Sequence, residues 1–269
     1  MIREAVWAGT RKFYPDDKLS LIKYLEKVID LDAEKKQAKA VMLPHAGYFY
    51  SGAVAGKTVS RIKVPDTVII LGPNHTGLGM PYSIVCHGLW KTPIGDIEIA
   101  EDLADIILDG SSLITEDETA HIKEHSIEVE LPFLKYLNPD VRIVPVIVSD
   151  FLLDRLQAVG NSISDSIKKY NKPVLIVVSS DMSHYEPQET VEKKDKMAIE
   201  SILAMDPEQL YNRKNKEYIS MCGFAPAIVA LYACKRLGAG SAELVDYRTS
   251  AEANNDPSSV VGYAGIVIS

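Results

Sequence analysis

Cysteine, aromatic residues and long apolar runs are all scarce in this chain. Its 269 residues include only three cysteines, Cys86, Cys222 and Cys234, and no CxxC pair. An odd number without that spacing argues against a disulfide framework and favours a reducing compartment. The longest apolar runs, such as AIVALYAC at 227–234, are far shorter than the ~20 residues that span a bilayer. We therefore expect a cytoplasmic protein without a membrane segment.

Basic charge is scarce as well. The net charge is −8 and the pI is about 5.3, with the Lys and Arg residues dispersed along the chain. A protein that binds a nucleic-acid backbone needs a concentrated basic surface, so we expect no nucleic-acid partner. The N-terminal stretch carries charges throughout and lacks the apolar region of a secretory signal. Walker A, GxGxxG and GxSxG motifs are absent, so nucleotide binding and triad hydrolysis have no support.

Short apolar runs alternate with longer amphipathic stretches along the whole chain. The runs are rich in Val and Ile, a texture typical of strands covered on both faces, and they predict strands at 40–43, 67–71, 82–85, 141–148, 174–179, 242–247 and 260–268. The stretches between them predict helices at 53–62, 100–108, 127–137, 152–169, 190–204 and 224–237. Without a linker or repeat, residues 1–269 read as one layered α/β domain.

Three of the six histidines follow predicted strands within a few residues. They are His45 in PHAGY, His75 in GPNH and His184 in SSDMSH. Ligands of α/β sheets bind at the carboxyl ends of strands, and imidazole is the commonest metal ligand in proteins. The repeated placement favours a metal site at this edge over the alternative of three ordinary loop histidines.

A third ligand has to come from elsewhere, and Cys222 is the best candidate. It directly precedes an apolar predicted helix, where unpaired N–H groups lower the pKa of a thiol and favour the metal-binding thiolate. The alternative is a cysteine packed in the core as a small apolar residue. For Cys86, directly after a predicted strand, and Cys234, inside a predicted helix, we favour that core interpretation.

Two further motifs carry titratable groups. HIKEH, from His121 to His125, matches the HxxEH pattern of a zinc protease, but the preceding residues lack an apolar face and the helix is expected to begin near Ser126. The rings need not converge, although His125 could still face the same cleft. Asp181 and His184 form a DxxH pair in which the carboxylate could orient the ring as a general base; the alternative is an Asp that caps a turn beside a solvated ring.

The motifs PHAGYFYSG, LGPNHTG, EHSIEVELPFL, SSDMSHY and CGFAP occur in this order between residues 44 and 226. Together with the ending DPSSVVGYAGIVIS, they resemble the Memo (mediator of ErbB2-driven cell motility) family over nearly the whole chain. That family is similar in structure to the class III extradiol dioxygenases, which use non-haem Fe(II). The resemblance implies a single α/β domain, residues 1–269, with a central mixed, largely parallel sheet flanked by helices.

The resemblance also implies a metal pocket. His45, His75 and Cys222 would be the metal ligands, His184 matches the place of the catalytic base of the dioxygenases, and Asp181 and His125 would line the pocket. Ring-cleaving Fe(II) enzymes use two histidines and a carboxylate, whereas a thiolate is softer and oxidisable. The likeness to the Fe(II) dioxygenases makes iron (Fe2+) the first expected cofactor. The thiolate adds copper and zinc as alternatives, and ring cleavage itself is not carried over.

Three functions remain open at this point. The protein could be a metal-dependent redox enzyme acting on a small molecule, a module that binds peptides in signalling, or a protein that sequesters metal without turnover. Members of the family are implicated in phosphotyrosine-peptide recognition. Memo-like proteins of archaea and bacteria are often associated with AMMECR1-like and radical SAM proteins, which implies these as partners.

Overall fold

The computed structural model describes residues 1–9 and 12–269. Its strands, in chain order, are β1 Ile2–Arg3, β2 Ala40–Leu43, β3 Thr67–Pro73, β4 Tyr82–Ile84, β5 Leu89–Trp90, β6 Ile97–Glu98, β7 Thr115–Glu116, β8 Arg142–Val148, β9 Leu175–Ser179, β10 His184–Glu186, β11 Ala242–Thr249 and β12 Val260–Ile268. The seven predicted strands are all present, with ends that differ by two residues at most.

The helices are α1 Lys18–Val28, α2 Tyr48–Val59, α3 Glu101–Asp109, α4 Leu131–Leu137, α5 Leu153–Tyr170, α6 Gln188–Leu203, α7 Pro207–Lys216, α8 Phe224–Arg236 and α9 Ala251–Asn254. A 3-10 turn, Glu128–Glu130, precedes α4, whose Pro132 occupies the first turn, where a missing N–H costs nothing. None of the helices in the described residues has the length and apolarity needed to cross a membrane.

Most of the strands form one large mixed sheet. Its order is β10-β12-β2-β9-β3-β8-β4-β7, and β11 pairs with the free edge of β12. The four central strands β2, β9, β3 and β8 are parallel, whereas β12 and β4 run antiparallel to their neighbours β2 and β8. This arrangement confirms the predicted fold class, a largely parallel central sheet flanked by helices.

Two groups of helices cover the central strands, which are almost completely buried. One group consists of α1, α2 and α4, and the other of α3, α5 and α8, while α6 lies against β11 and β12. Two glycines permit close approach at this end of the sheet: a Cβ at Gly265 would meet Thr58 Oγ1 of α2, and one at Gly262 would meet Asp195 Oδ2 of α6.

The starts of α2 and α4 differ from the predicted positions, each for a physical reason. Helix α2 begins at Tyr48, five residues before the predicted start, because the aromatic run YFY forms its first turn and packs Tyr48 into the core. Ser126 is not a helix cap: its hydroxyl donates to the Pro73 carbonyl at 3.1 Å and so ties the segment before α4 to the end of β3.

A buried ion pair fastens Arg3 and the residues near it in the fold to the segment 121–128. Arg3 Nη1 donates to Glu128 Oε2, and Arg3 Nε donates to the His121 carbonyl at 2.8 Å. The other oxygen of Glu128 accepts from the Trp7 N–H and the Tyr14 hydroxyl, each at 2.8 Å. Fully bonded buried charges of this kind lock two distant segments together because neither partner can be removed without exposing the other.

We expect Arg3→Met to destabilise the protein by about 3–5 kcal/mol, because Glu128 would then be buried without its counter-ion. Urea unfolding measures the loss. Lys91→Met is the matched control, since Lys91 pairs with Glu4 at the surface, where solvent screening leaves such a pair little effect on stability. Equal effects of the two substitutions would contradict the assignment.

His121 is buried at the same junction and does not act as part of a helical metal motif. HIKEH lies in turns, and His121 Nε2 donates to the Ser83 carbonyl at 3.1 Å, which leaves His121 outside the cluster formed by other histidines. Burial lowers the pKa of His121 to about 4. The ring is therefore neutral in the folded protein at pH values where it would be protonated in the unfolded chain.

Between pH 6.5 and 4, His121 is protonated in the unfolded chain but stays neutral in the folded protein. The contribution of the neutral ring to the free energy of unfolding is therefore full above pH 6.5 and is lost on acidification. We expect this residue to account for a loss of about 2–3 kcal/mol between pH 7.5 and 4.5. Urea unfolding at both pH values should show a correspondingly smaller loss in His121→Gln. A pH dependence of stability that His121→Gln leaves unaltered refutes the assignment.

Candidate metal centre

Three neighbouring parallel strands deliver polar side chains to one edge of the sheet. His45 follows β2, Asp181 follows β9 and His75 follows β3, each two residues beyond the end of its strand. Because β9 lies between β2 and β3, these residues come out side by side at the carboxyl edge. The strand-end placement that the sequence indicates therefore produces a spatial group.

His45 is the most buried member of this group. Its Nδ1 lies 2.8 Å from Ser179 Oγ, and its Nε2 lies 3.3 Å from Cys222 Sγ. Burial and, to a smaller extent, the three neighbouring histidine rings hold the pKa of His45 well below its usual value. The ring is thus neutral at physiological pH, which is the form that binds metals.

His75 is oriented by a carboxylate that the HIKEH motif supplies. Glu124 Oε1 lies 2.8 Å from His75 Nδ1, and Glu124 Oε2 accepts the His75 backbone N–H at 2.6 Å. Burial alone would raise the pKa of Glu124, but the hydrogen bond from His75 and the charges of the His75 and His125 rings lower it to about 2. An ionised carboxylate only accepts, so His75 carries a proton on Nδ1, and Nε2 is the ring nitrogen left to face a metal.

His125 brings a third ring to the same place. One ring nitrogen from each of His45, His75 and His125 lies within 4.8 Å of the corresponding nitrogens of the other two. On its other side the His125 ring contacts Phe13 and Trp7, with centroids 4.5 and 5.8 Å away. Burial, followed by the neighbouring His75, lowers the pKa of His125 to about 4.

Cys222 adjoins this cluster through His45. It lies two residues before α8, as predicted, and its sulfur accepts the Asp181 N–H at 3.3 Å. The expected lowering of its pKa is wrong for the metal-free protein, because burial and then the nearby Asp181 carboxyl raise the pKa of the thiol. Loss of hydration here outweighs the attraction of the helix N-terminus.

Asp181 has a different partner from the one expected. Its Oδ1 accepts the backbone N–H groups of His45 and Ala46, at 2.8 and 3.2 Å, and so fixes the turn that carries His45. Burial raises the pKa of Asp181 to about 7. Among the described residues, the ring of His184 is bonded by Ser220 and not by Asp181.

His184 stands at the start of β10, half-buried in the wall of the cavity. Its Nδ1 lies 3.1 Å from the Ser220 carbonyl, which can only accept, so the proton is on Nδ1 and Nε2 is free to take another. Burial lowers the pKa of His184. The ring is therefore a neutral base, oriented by a backbone carbonyl where a carboxylate was expected.

All six predicted site residues line one cavity of about 710 Å³: His45, His75, His125, Asp181, His184 and Cys222. Four aromatic side chains also line it, Phe13, Tyr50, Tyr185 and Tyr263. No lysine or arginine is among the described residues of its lining. A cavity of this size accommodates a small organic molecule, and its uncharged aromatic walls favour ligands without strong negative charge.

The donor atoms fit a first-row metal ion. With metal–nitrogen bonds of about 2.0–2.1 Å and metal–sulfur bonds of about 2.3 Å, two donors on one ion lie about 3–3.6 Å apart. The 3.3 Å between His45 Nε2 and Cys222 Sγ lies within that range. The ring nitrogens of His45, His75 and His125 lie within 4.8 Å of one another, so an approach of at most about 1–2 Å brings them to that spacing.

Two residues that position the rings were missed from sequence. Ser179 ends β9 and supports His45, and a serine at a strand end carries no distinguishing signal. Glu124 is the acidic residue of HIKEH, but the sequence pattern indicates for that motif only a zinc-protease site. Its role is to orient His75, because the turn before α4 folds against the end of β3.

Comparisons with known proteins show the family of this chain. The family profile described as Memo-like protein matches residues 3–267. The chain is 40% identical over 268 residues to a MEMO1 family protein of Aquifex aeolicus, covering 99% of this chain and 98% of that protein. It is 39% identical to a MEMO1 family protein of Methanococcoides burtonii, covering 99% and 100%.

A solved structure of an uncharacterized protein from Escherichia coli K12 matches with a TM-score of 0.55 at 12% identity, covering 86% of this chain and all of that one. At that identity the likeness concerns the fold alone, and it agrees with a single layered α/β architecture. The profile match and the two relatives rest on nearly the full length of the chain. On this ground, the chain belongs to the Memo family.

Proposed function

We propose that this protein binds a redox-active transition metal in the cavity and uses it to act on a small organic molecule. The observation that carries the proposal is the convergence of ring nitrogens from His45, His75 and His125 within 4.8 Å, with the Cys222 sulfur beside His45. Iron(II) is the metal we favour, with copper and zinc as alternatives, since imidazole suits all three.

We assign His45, His75 and Cys222 as the metal ligands. The 3.3 Å between His45 Nε2 and Cys222 Sγ supports the Cys222 assignment. The Asp181 N–H donates to this sulfur, and Ser180 Oγ accepts the N–H of the next residue, Gly223, so the position of Cys222 is fixed. His125 then stands next to the bound ion as an acid or second base. An all-histidine set with His125 as the third ligand is the competing arrangement, and it leaves Cys222 a neutral thiol.

The other cavity residues supply the proton chemistry. A bound metal would lower the pKa of a coordinated hydroxyl group and accept or deliver electrons. His184 carries its own proton on Nδ1, so its free Nε2 can take the proton of a substrate hydroxyl. The aromatic walls hold an uncharged organic ligand and restrict water around it.

A count of released protons separates the two ligand sets. The Cys222 thiol is protonated in the metal-free protein because its pKa is raised, whereas the buried rings are already neutral. We expect binding at pH 8 to release about one proton per metal ion, and the affinity to rise about tenfold per pH unit. Calorimetry in buffers of different ionisation enthalpy measures the number. Cys222→Ser should release about none; a wild type that also releases none makes the all-histidine set correct.

We also expect metal content to depend on His45. Elemental analysis after anaerobic purification should find about one metal ion per chain in the wild type and near none in His45→Ala, while His87→Ala, at an exposed histidine outside the cavity, should match the wild type. Near-zero content in both the wild type and His45→Ala would overturn the metal proposal. Oxygen consumption by the loaded protein with phenolic or catecholic compounds then distinguishes a redox enzyme from a protein that only sequesters metal.

A further inference from the structure

Three polar atoms surround the hydroxyl of Ser179 behind the His45 ring. Ser179 Oγ lies 2.6 Å from the Ser126 carbonyl, 2.8 Å from His45 Nδ1 and 3.1 Å from Glu130 Oε1. All four residues are buried at this point. Because water does not reach the group, each of its hydrogen bonds has to be assigned within the protein.

A serine hydroxyl has one proton to donate and two lone pairs with which it accepts. The Ser126 carbonyl can only accept, and it is the nearest of the three atoms, so it takes the Ser179 proton. The two lone pairs then face His45 Nδ1 and Glu130 Oε1. Both of these atoms must be donors, which requires an N–H on His45 Nδ1 and an O–H on Glu130.

The surroundings of Glu130 agree with a neutral acid. Its side chain is fully buried, its Oε2 has no hydrogen-bond partner among the described residues, and none of the ion pairs there includes it. Burial raises the pKa of Glu130 well above the usual value, and the nearby Asp181 carboxyl adds to the rise. An ionised carboxylate with a bare oxygen would be strongly unfavourable here, whereas the carbonyl oxygen of a protonated acid costs far less.

We propose that Glu130 is a neutral carboxylic acid and a positioning residue: its O–H fills a lone pair of Ser179, directs the Ser179 hydroxyl to the Ser126 carbonyl, and so keeps the His45 proton on Nδ1. His45 Nε2 is thereby held as a lone pair that faces the cavity and Cys222. The inference rests on the proposed function only in that this lone pair would bind the metal. The protonation of Glu130 and the tautomer of His45 are properties of the metal-free protein.

Two spectroscopic measurements on the metal-free protein test these properties. The infrared difference spectrum between the wild type and Glu130→Gln at pH 8 should contain the carbonyl band of a protonated carboxylic acid. Glu4→Gln is the control, because Glu4 is exposed at the surface, where it pairs with Lys91, and its loss should leave that band in place. Nitrogen-15 NMR of labelled histidine, assigned with His45→Gln, should show the His45 proton on Nδ1. Absence of the band, or a proton on Nε2, overturns the inference.

Metal titration against a competing chelator tests the positioning role. Glu130→Met removes the donor, so Ser179 can turn its hydroxyl to His45 Nδ1 and stabilise the tautomer that does not bind; we expect affinity to fall about tenfold. Glu130→Gln keeps an N–H donor and should restore affinity to within about threefold of the wild type. Equal affinity of Glu130→Met and the wild type refutes the role, provided that thermal unfolding shows both folded. A wild type that binds no metal refutes the proposed function, while the spectra still decide the state of Glu130.

Discussion

The hydrogen bonds to Nδ1 of His45 and His75 determine which way Nε2 of each ring points. Ser179 holds His45 by Nδ1, and Glu124 holds His75 by Nδ1, so each ring turns its other nitrogen to the cavity. An imidazole without such a partner would exchange between tautomers and rotamers, and only some of those bind a cation. The convergence of the rings therefore depends on residues that never touch the ligand.

The order of the strands in the sheet brings the site residues together through short turns. Strands β2, β9 and β3 are adjacent and parallel, so their carboxyl ends open onto one rim, and the turns after them need only two residues to place His45, Asp181 and His75. Buried strands fix the positions of these turns because a shift would displace a packed core. The carboxyl of Asp181 then closes the His45 turn by accepting two backbone N–H groups.

The sequence was most informative where local pattern and tertiary structure agree. Apolar runs located every central strand, and the histidines after them indicated the site. It was least informative where a role depends on distant contacts. Glu124 and Ser179 acquire their roles from packing between segments about 50 residues apart, and Asp181 bonds to the His45 turn, not to the nearby His184. The pKa of Cys222 was misjudged because sequence displays the helix start but not the burial.

The wall behind His125 is built by aromatic side chains from the N-terminal part of the chain. Phe13 and Trp7 pack on that ring, and Arg3 and Tyr14 hold Glu128, more than one hundred positions further along the chain. Residues that precede the first strand of the large sheet thus complete the cavity from outside that sheet. During synthesis this wall cannot assemble until residue 128 has left the ribosome, so the early part of the chain has to wait for a late one before the centre takes its final shape.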